Sequence, residues 1–377
     1  MTITFIVFIF VISILVLVHE MGHFLAAKKF GIKVEEFGLG LPPRIWGIKK
    51  GETIYSLNAL PIGGFVKLFG EEGKDQESIK SKNQKIKKDF KRAFFAKPIW
   101  QRAVVLSAGV TMNFILAILV LSFLFTQGVF VPTDRVTVEK VEENSPAEEV
   151  GLKEADVIKE IKVDLSQDYP GRSLTQDSPG IEIKSAEKLI NLTKEHLDEE
   201  IELVVLRAEE ELTFKIMPRK DPPEGQGAMG IAISDFEEKT YPWYKAPFWG
   251  IYEAFKLSGV LVKGLGQTLW CLVTFQPIKE EVAGPVGIAQ ITGKAVKFGK
   301  MAILELLGLL SLNLAVVNIL PFPALDGGRL LFLGIEATTG KKIRAKWERV
   351  AHQTGMAILL ALLLLVTIND VLRIIRK

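Results

Sequence analysis

The chain has 377 residues, 48% of them hydrophobic and 24% charged, with a mean hydropathy of +0.26 and a net charge of +3. That balance, with its positive mean hydropathy, suggests membrane spans joined to polar segments, and it offers no basic excess for a nucleic-acid partner. The single cysteine, Cys271, excludes an internal disulfide.

Charge is unevenly placed. Residues 28–102 carry 17 Lys/Arg against 8 Asp/Glu, and residues 129–300 carry 21 against 30. The first apolar run, 3–27, has no basic stretch before it and is long for a signal-peptide core. It is expected to be a retained transmembrane helix, 1–28. Inside it stands Val18-His19-Glu20-Met21-Gly22-His23. On a helix, residues four apart share a face, so His19 and His23 can present two imidazoles to one metal ion. Glu20 lies about 100° from His19 around the helix, beside the metal but not on it, where a general base belongs. Zinc suits such ligands. A buried hydrogen-bonded histidine pair is the plainer reading, but ionisable groups are costly in an apolar span and by default functional.

Segment 29–102 is basic, which puts it in the cytoplasm and the N-terminus outside. Residues 54–57 and 64–68 read as short strands around the turn 61–64. The lysine-rich run 70–92 reads as a solvated surface segment. A second span, 103–127, contains Ser107, Ala108 and Gly109, which permit close helix approach, and Asn113, which can hydrogen-bond across helices in packing or at an active site.

Residues 134–220 read as an acidic soluble module. Strands are expected at 136–141 and 156–161, a helix after the Ser145-Pro146-Ala147-Glu148 capping box, a helix at 185–197, and a hairpin from 202–205 and 212–216. Between them, 164–180 reads as an inserted loop. Ser145-Pro146-Ala147, Gly151-Leu152 and Asp156-Val157-Ile158 in this order resemble a PDZ domain of the bacterial protease type, which binds extended peptide tails by adding a strand. Ala155 stands where such domains have glycine.

Segment 221–300 contains an apolar run, 246–275, broken by Glu253, Lys256 and Lys263. His19 lies roughly 24 Å from the outer end of the first span, towards the cytoplasm, at about 1.5 Å per residue. A crossing at 246–275 would carry Asp326 to the wrong face, so a surface-lying amphipathic helix is expected there. The third span, within 301–340, breaks at Pro321-Phe322-Pro323-Ala324-Leu325-Asp326-Gly327-Gly328, which is tolerated only where backbone faces protein or a polar cavity. Asp326 is the candidate third metal ligand; its plainer role is to cap the helix that follows. The fourth span falls in 355–377.

With four transmembrane helices, a membrane-associated β-loop and an inserted α+β PDZ-like domain, the chain resembles the site-2 protease family, in its regulator-of-sigma-E protease branch. The resemblance rests on His19-Glu20-Met21-Gly22-His23, on the stretch 318–328, and on the module between spans two and three. It implies a multi-pass protein of the cell (inner) membrane, with the module outside and the site near the cytoplasmic face. It implies an intramembrane zinc metalloendopeptidase with His19, His23 and Asp326 on Zn2+ and Glu20 as catalytic base. It further implies that Asn318 holds substrate backbone, that 64–70, including Gly64, Phe65, Val66 and Lys67, is a membrane-dipping β-loop that can pair with substrate, and that Gly284-Pro285-Val286-Gly287 is the family's element before the third span. Substrates would be single-span membrane proteins whose ectodomains another protease has removed, screened by the module. The rivals are a non-catalytic PDZ scaffold, which has no need of Glu20, and a metal transporter, which would call for a repeat the chain lacks.

Overall fold

A computed structural model describes residues 2–71, 90–163, 180–223, 225–274, 284–343 and 345–375. Most of the lysine-rich run 70–92 and of the loop 164–180 lies outside the described residues. The chain forms two compact units, Met1–Thr126 with Pro242–Lys377, and Gln127–Tyr241.

Among the described residues, four helices are long and apolar enough to cross a membrane. They are α1 (Thr2–Lys29), α2 (Ile99–Gln127), α7 (Lys300–Ile319) and, within α9 (Ala345–Ile375), Lys346–Arg373. Apolar residues surround each of them, so composition does not fix which faces meet; small residues do. A Cβ on Gly22 of α1 would overlap the Ala108 carbonyl of α2, and a Cβ on Gly308 of α7 would lie 3.0 Å from Val120. The Ser311 hydroxyl of α7 donates to the Asn113 carbonyl of α2 at 2.8 Å. Buried Arg102 forms a two-pronged ion pair with Glu336, tying α2 to α8 (Asp326–Thr339).

Between α1 and α2, β1 (Val34–Lys50) and β2 (Thr53–Leu68) fold into one sheet. Residues 34–41 pair with 68–60, residues 44–50 with 58–53, and residues 36–39 also run beside 54–57. Ile32, Val34 and Leu68 close a small core against Ala27 of α1 and Val105 of α2, so the sheet is fixed at the base of both spans. Its far end carries exposed Leu41, Ile45, Trp46 and Leu60, and Ile48 is exposed nearer the middle.

Two helices precede the third span. The helix expected at 246–275 is α5 (Ala246–Val273), and it does not stand apart from the spans. Ala254 is fully buried with Ala117 and Leu312, Phe255 packs edge-on to Phe114, and a Cβ on Gly250 would strike Ser122. Its charged residues leave one face apolar enough to rest on α2 through Gly250 and Ala254 and on α7 through Leu312. Helix α6 (Pro285–Phe298) begins at the Gly-Pro element and is tied to α9, where Asp370 accepts the Gly287 N–H at 2.8 Å.

The unit Gln127–Tyr241 is a six-stranded sheet in the order β7-β6-β4-β3-β8, with β5 (Ile181–Glu182) on β4. Strands β3 (Val129–Val141), β4 (Val157–Val163), β6 (Ile201–Arg207) and β7 (Glu210–Ile216) carry the expected pattern, and inward residues such as Val136, Ile158, Leu203 and Val205 make the core with Leu189 of α4 (Ala186–Glu195). The short helix α3 (Pro146–Glu149) is capped by Ser145, which accepts the Glu148 N–H at 3.2 Å, while the Glu148 carboxylate reaches one residue past the N-cap to accept the Asn144 N–H at 2.6 Å. Ala155 holds φ at 68° with its N–H on the Val138 carbonyl, so the turn that glycine usually makes is kept by alanine at some strain. The next residue, buried Asp156, is locked by Arg207 at 2.7 Å. A last strand, β8 (Ile231–Lys239), pairs with β3 and lies beyond the expected limit of the module.

Glu52, in the turn between β1 and β2, fastens the sheet to the end of α1. It accepts from Arg92 twice at 2.6 Å and from Lys28 at 3.0 Å. Hydrogen bonding from Arg92, aided by Lys28 and opposed by partial burial, holds its carboxyl at about 2 against an ordinary 4.5. A lowered value makes the clamp fully stabilising above 4.5 and lost as pH falls towards 2. Thermal unfolding of wild type and Glu52→Gln should therefore differ at about pH 6, draw together as pH falls below about 4.5, and converge only near about pH 2. A gap that ignores pH would contradict the clamp.

Candidate metal centre

His19 and His23 lie one turn apart on α1 with ring centroids 4.9 Å apart. Their Nε2 atoms are 3.3 Å from each other, and Asp326 Oδ2 lies 3.1 Å from the first and 3.2 Å from the second. Asp326 opens α8, directly after the broken stretch 320–325. The centre thus joins two residues close in sequence to one about three hundred positions away.

Proton positions decide what this cluster can do. His23 Nδ1 is 2.8 Å from the Val105 carbonyl, which can only accept, so Nδ1 carries a proton, and in the neutral ring Nε2 keeps its lone pair. His19 Nδ1 is 3.2 Å from the side-chain amide of fully buried Asn113. The amide nitrogen is the nearer atom and Asn113 Oδ1 has no partner, so a His19 that offers Nε2 to a metal, with its proton on Nδ1, calls for the amide turned over to present its oxygen. Asp326 Oδ2 is buried without a hydrogen-bond partner. Three lone pairs therefore converge on one point inside apolar surroundings. A cation reconciles them, and two imidazoles with one carboxylate make a donor set that suits catalytic zinc.

The floor of the centre is Gly109 of α2, where a Cβ would overlap the rings of both histidines. Glu20 lies within electrostatic reach of His19, His23 and Asp326 and faces the Val66 backbone of β2. Gly64 lets β2 come close, since a Cβ there would lie 3.3 Å from Val16 and 3.5 Å from Glu20. Phe65 covers Gly38, and Lys67 pairs with Glu35 at 3.1 Å, so these two side chains serve the sheet. Asn318 sits in the last turn of α7, at the entrance to the broken stretch.

The profile of peptidase family M50 matches residues 7–362. The chain belongs to peptidase family M50. A putative zinc metalloprotease of Clostridium perfringens is 34% identical over 96% of this chain and 96% of its own. The zinc metalloprotease RasP of Bacillus licheniformis is 32% identical over 98% of this chain and 99% of its own, and the regulator of sigma-W protease RasP of Bacillus subtilis is 30% identical over the same shares. As an M50 peptidase the chain is a zinc-dependent metalloprotease of the membrane.

Sequence reasoning left Asn113 between packing and chemistry; contact with His19 places it at the centre. It passed over Gly109, whose only signal was its place among small residues, and the Val105 carbonyl, which no side-chain pattern can reveal. Gly109→Ala should push both imidazoles aside while leaving an apolar helix intact. Zinc retained after purification should fall about tenfold or more, the order seen when ligand orientation is lost. Unchanged zinc content would mean that the rings do not rest on Gly109.

Proposed function

We propose that the chain cleaves transmembrane segments of single-span membrane proteins, with His19, His23 and Asp326 holding zinc and Glu20 as general base. The observation that carries this reading is the convergence of the three ligand atoms with Glu20 beside them. Bound zinc would supply Lewis acidity, lowering the pKa of a water and polarising the scissile carbonyl. Glu20, facing the Val66 backbone, takes the proton from that water and passes it to the leaving amine. Asn113 and the Val105 carbonyl hold the imidazoles so that Nε2 faces inward.

A helical substrate hides its peptide bonds and must unwind before it is cut. The edge of β2 around Gly64, Phe65, Val66 and Lys67 runs beside Glu20, and no strand among the described residues pairs with that edge. It can take an extended segment as an added strand, with Asn318 holding the backbone from the other side. Exposed Leu41, Ile45, Trp46 and Leu60 suit insertion of the sheet's far end into lipid. The basic segment after α1 faces the cytoplasm, which sets the unit Gln127–Tyr241 outside. There it acts as a PDZ-like module: its strand and helix order and the turn at Ala155 and Asp156 support that reading. It admits substrates already trimmed by another protease. One relative is named regulator of sigma-W protease, which is compatible with a role for this chain in controlling a sigma factor.

The test uses purified protein in detergent and a single-span substrate with its N-terminus in the cytoplasm. Glu20→Gln should keep its zinc and lose cleavage by at least about 10²-fold, and a chelator should abolish wild-type cleavage. Cleavage by Glu20→Gln at the wild-type rate would refute the base assignment.

A further inference from the structure

One histidine beside the centre has no part in the chemistry above. His352, in the first half of α9, is partly buried, and its Nδ1 accepts the Ala324 N–H at 3.2 Å. Its own proton therefore sits on Nε2. Ala324 stands two residues before Asp326 and holds φ at 83°, a left-handed conformation that alanine avoids because its Cβ crowds the backbone. Nothing in the side chain of alanine favours that state, so the surroundings must impose it.

The surroundings are on the page. Within the loop, Phe322 N–H bonds to Leu320 O at 2.7 Å and Leu325 N–H to Phe322 O at 3.1 Å, so backbone partners account for these two groups. Ala324 N–H, between them, is held by a side chain from another helix. A Cβ on Gly355, three residues after His352, would overlap the Pro323 carbonyl, so α9 rests directly on the loop. A Cβ on Gly327 or Gly328 would likewise overlap the carbonyls of Ile319, Leu320 or Phe322. The loop is clasped from both sides, and its one strained residue is pinned by His352.

We infer that His352 is a positioning residue: by accepting the Ala324 N–H it holds the left-handed turn that aims Asp326 at His19 and His23. The inference rests on the metal-centre reading above. His352 borders a cavity of mixed lining, with Glu71, Arg329 and Gln353 beside Phe332, Leu333 and Met356. In its absence water there can satisfy the N–H but cannot fix the direction of the peptide.

The test is zinc affinity of the full-length protein in detergent, measured by competition with a chromogenic chelator. His352→Ala should weaken zinc binding about tenfold to a hundredfold, the range for lost outer-shell partners. His352→Asn, which keeps an acceptor near the Nδ1 position, should restore most of it. Ala324→Gly placed in the His352→Ala background should also restore it, because glycine takes positive φ without being held. A merely structural histidine would not be rescued by glycine at 324. Wild-type affinity in His352→Ala, or no recovery on adding Ala324→Gly, overturns the inference. Should His352→Ala fail to fold, His352→Leu against His352→Asn makes the same comparison, and equal affinities overturn it. A wild-type chain with no zinc affinity would instead overturn the metal-centre reading itself, and this inference with it.

Discussion

Two imidazole nitrogens and a carboxylate oxygen lie within 3.3 Å of one another inside apolar helices, an arrangement that is costly unless a positive charge stands between them, and a metal ion supplies it. Much of the membrane unit can be understood as the frame for that point. The helix period puts His19 and His23 on one face; Gly109 makes room for both rings; Val105 and Asn113 fix their protons. Gly22 on α1 and Gly308 on α7 let the helices approach closely enough for these contacts to exist. The same small residues that pack the spans also leave the space the metal needs.

Asp326 sets a different problem, because it comes from a distant part of the chain and must enter at the depth of the histidines. A continuous helix would bury its backbone groups but could not deliver a carboxylate axially into the centre. Pro321 and Pro323 end α7, and Gly327 and Gly328 allow α8 to restart against the loop's own carbonyls. The freed backbone groups are satisfied within protein, as membrane depth demands. Beneath the histidines, the β1–β2 sheet is fastened to the end of α1 by Glu52, which brings Gly64 and Val66 to Glu20. The catalytic helix is thus held at one end by a sheet and at its middle by α2.

The parts legible in the sequence were those with a local period or a local contradiction. His19-Glu20-Met21-Gly22-His23 announces itself because five residues on one turn define the geometry, and Asp326 because prolines and glycines break an otherwise apolar span. The four spans and the strand and helix order of the acidic unit were equally readable, through length, alternation and capping at Ser145. Contacts between distant elements were not. Asn113 gave no sign of which helix it would face, since α2 is apolar all round. His352 lies 26 residues beyond Asp326 in a segment whose polarity reads as surface. The turn at Ala155 looked altered, yet β3 and β4 pair across it and impose the left-handed state on alanine. Helix α5 reads as a surface-lying helix from its three charged residues and from the side on which Asp326 must enter, and it is not among the four helices apolar enough to cross a membrane; its contacts through Ala254 and Gly250 were not legible.

The central claim is the identity of the ligands, and X-ray absorption at the zinc edge reads them directly on purified, zinc-loaded protein. The account predicts a first shell of nitrogen and oxygen only, at about 2.0–2.2 Å, with the outer-shell scattering of two imidazoles, falling to one imidazole in His23→Ala. A sulfur shell at about 2.3 Å, which only Cys271 or a methionine could supply, or an imidazole count that ignores His23→Ala, would contradict it.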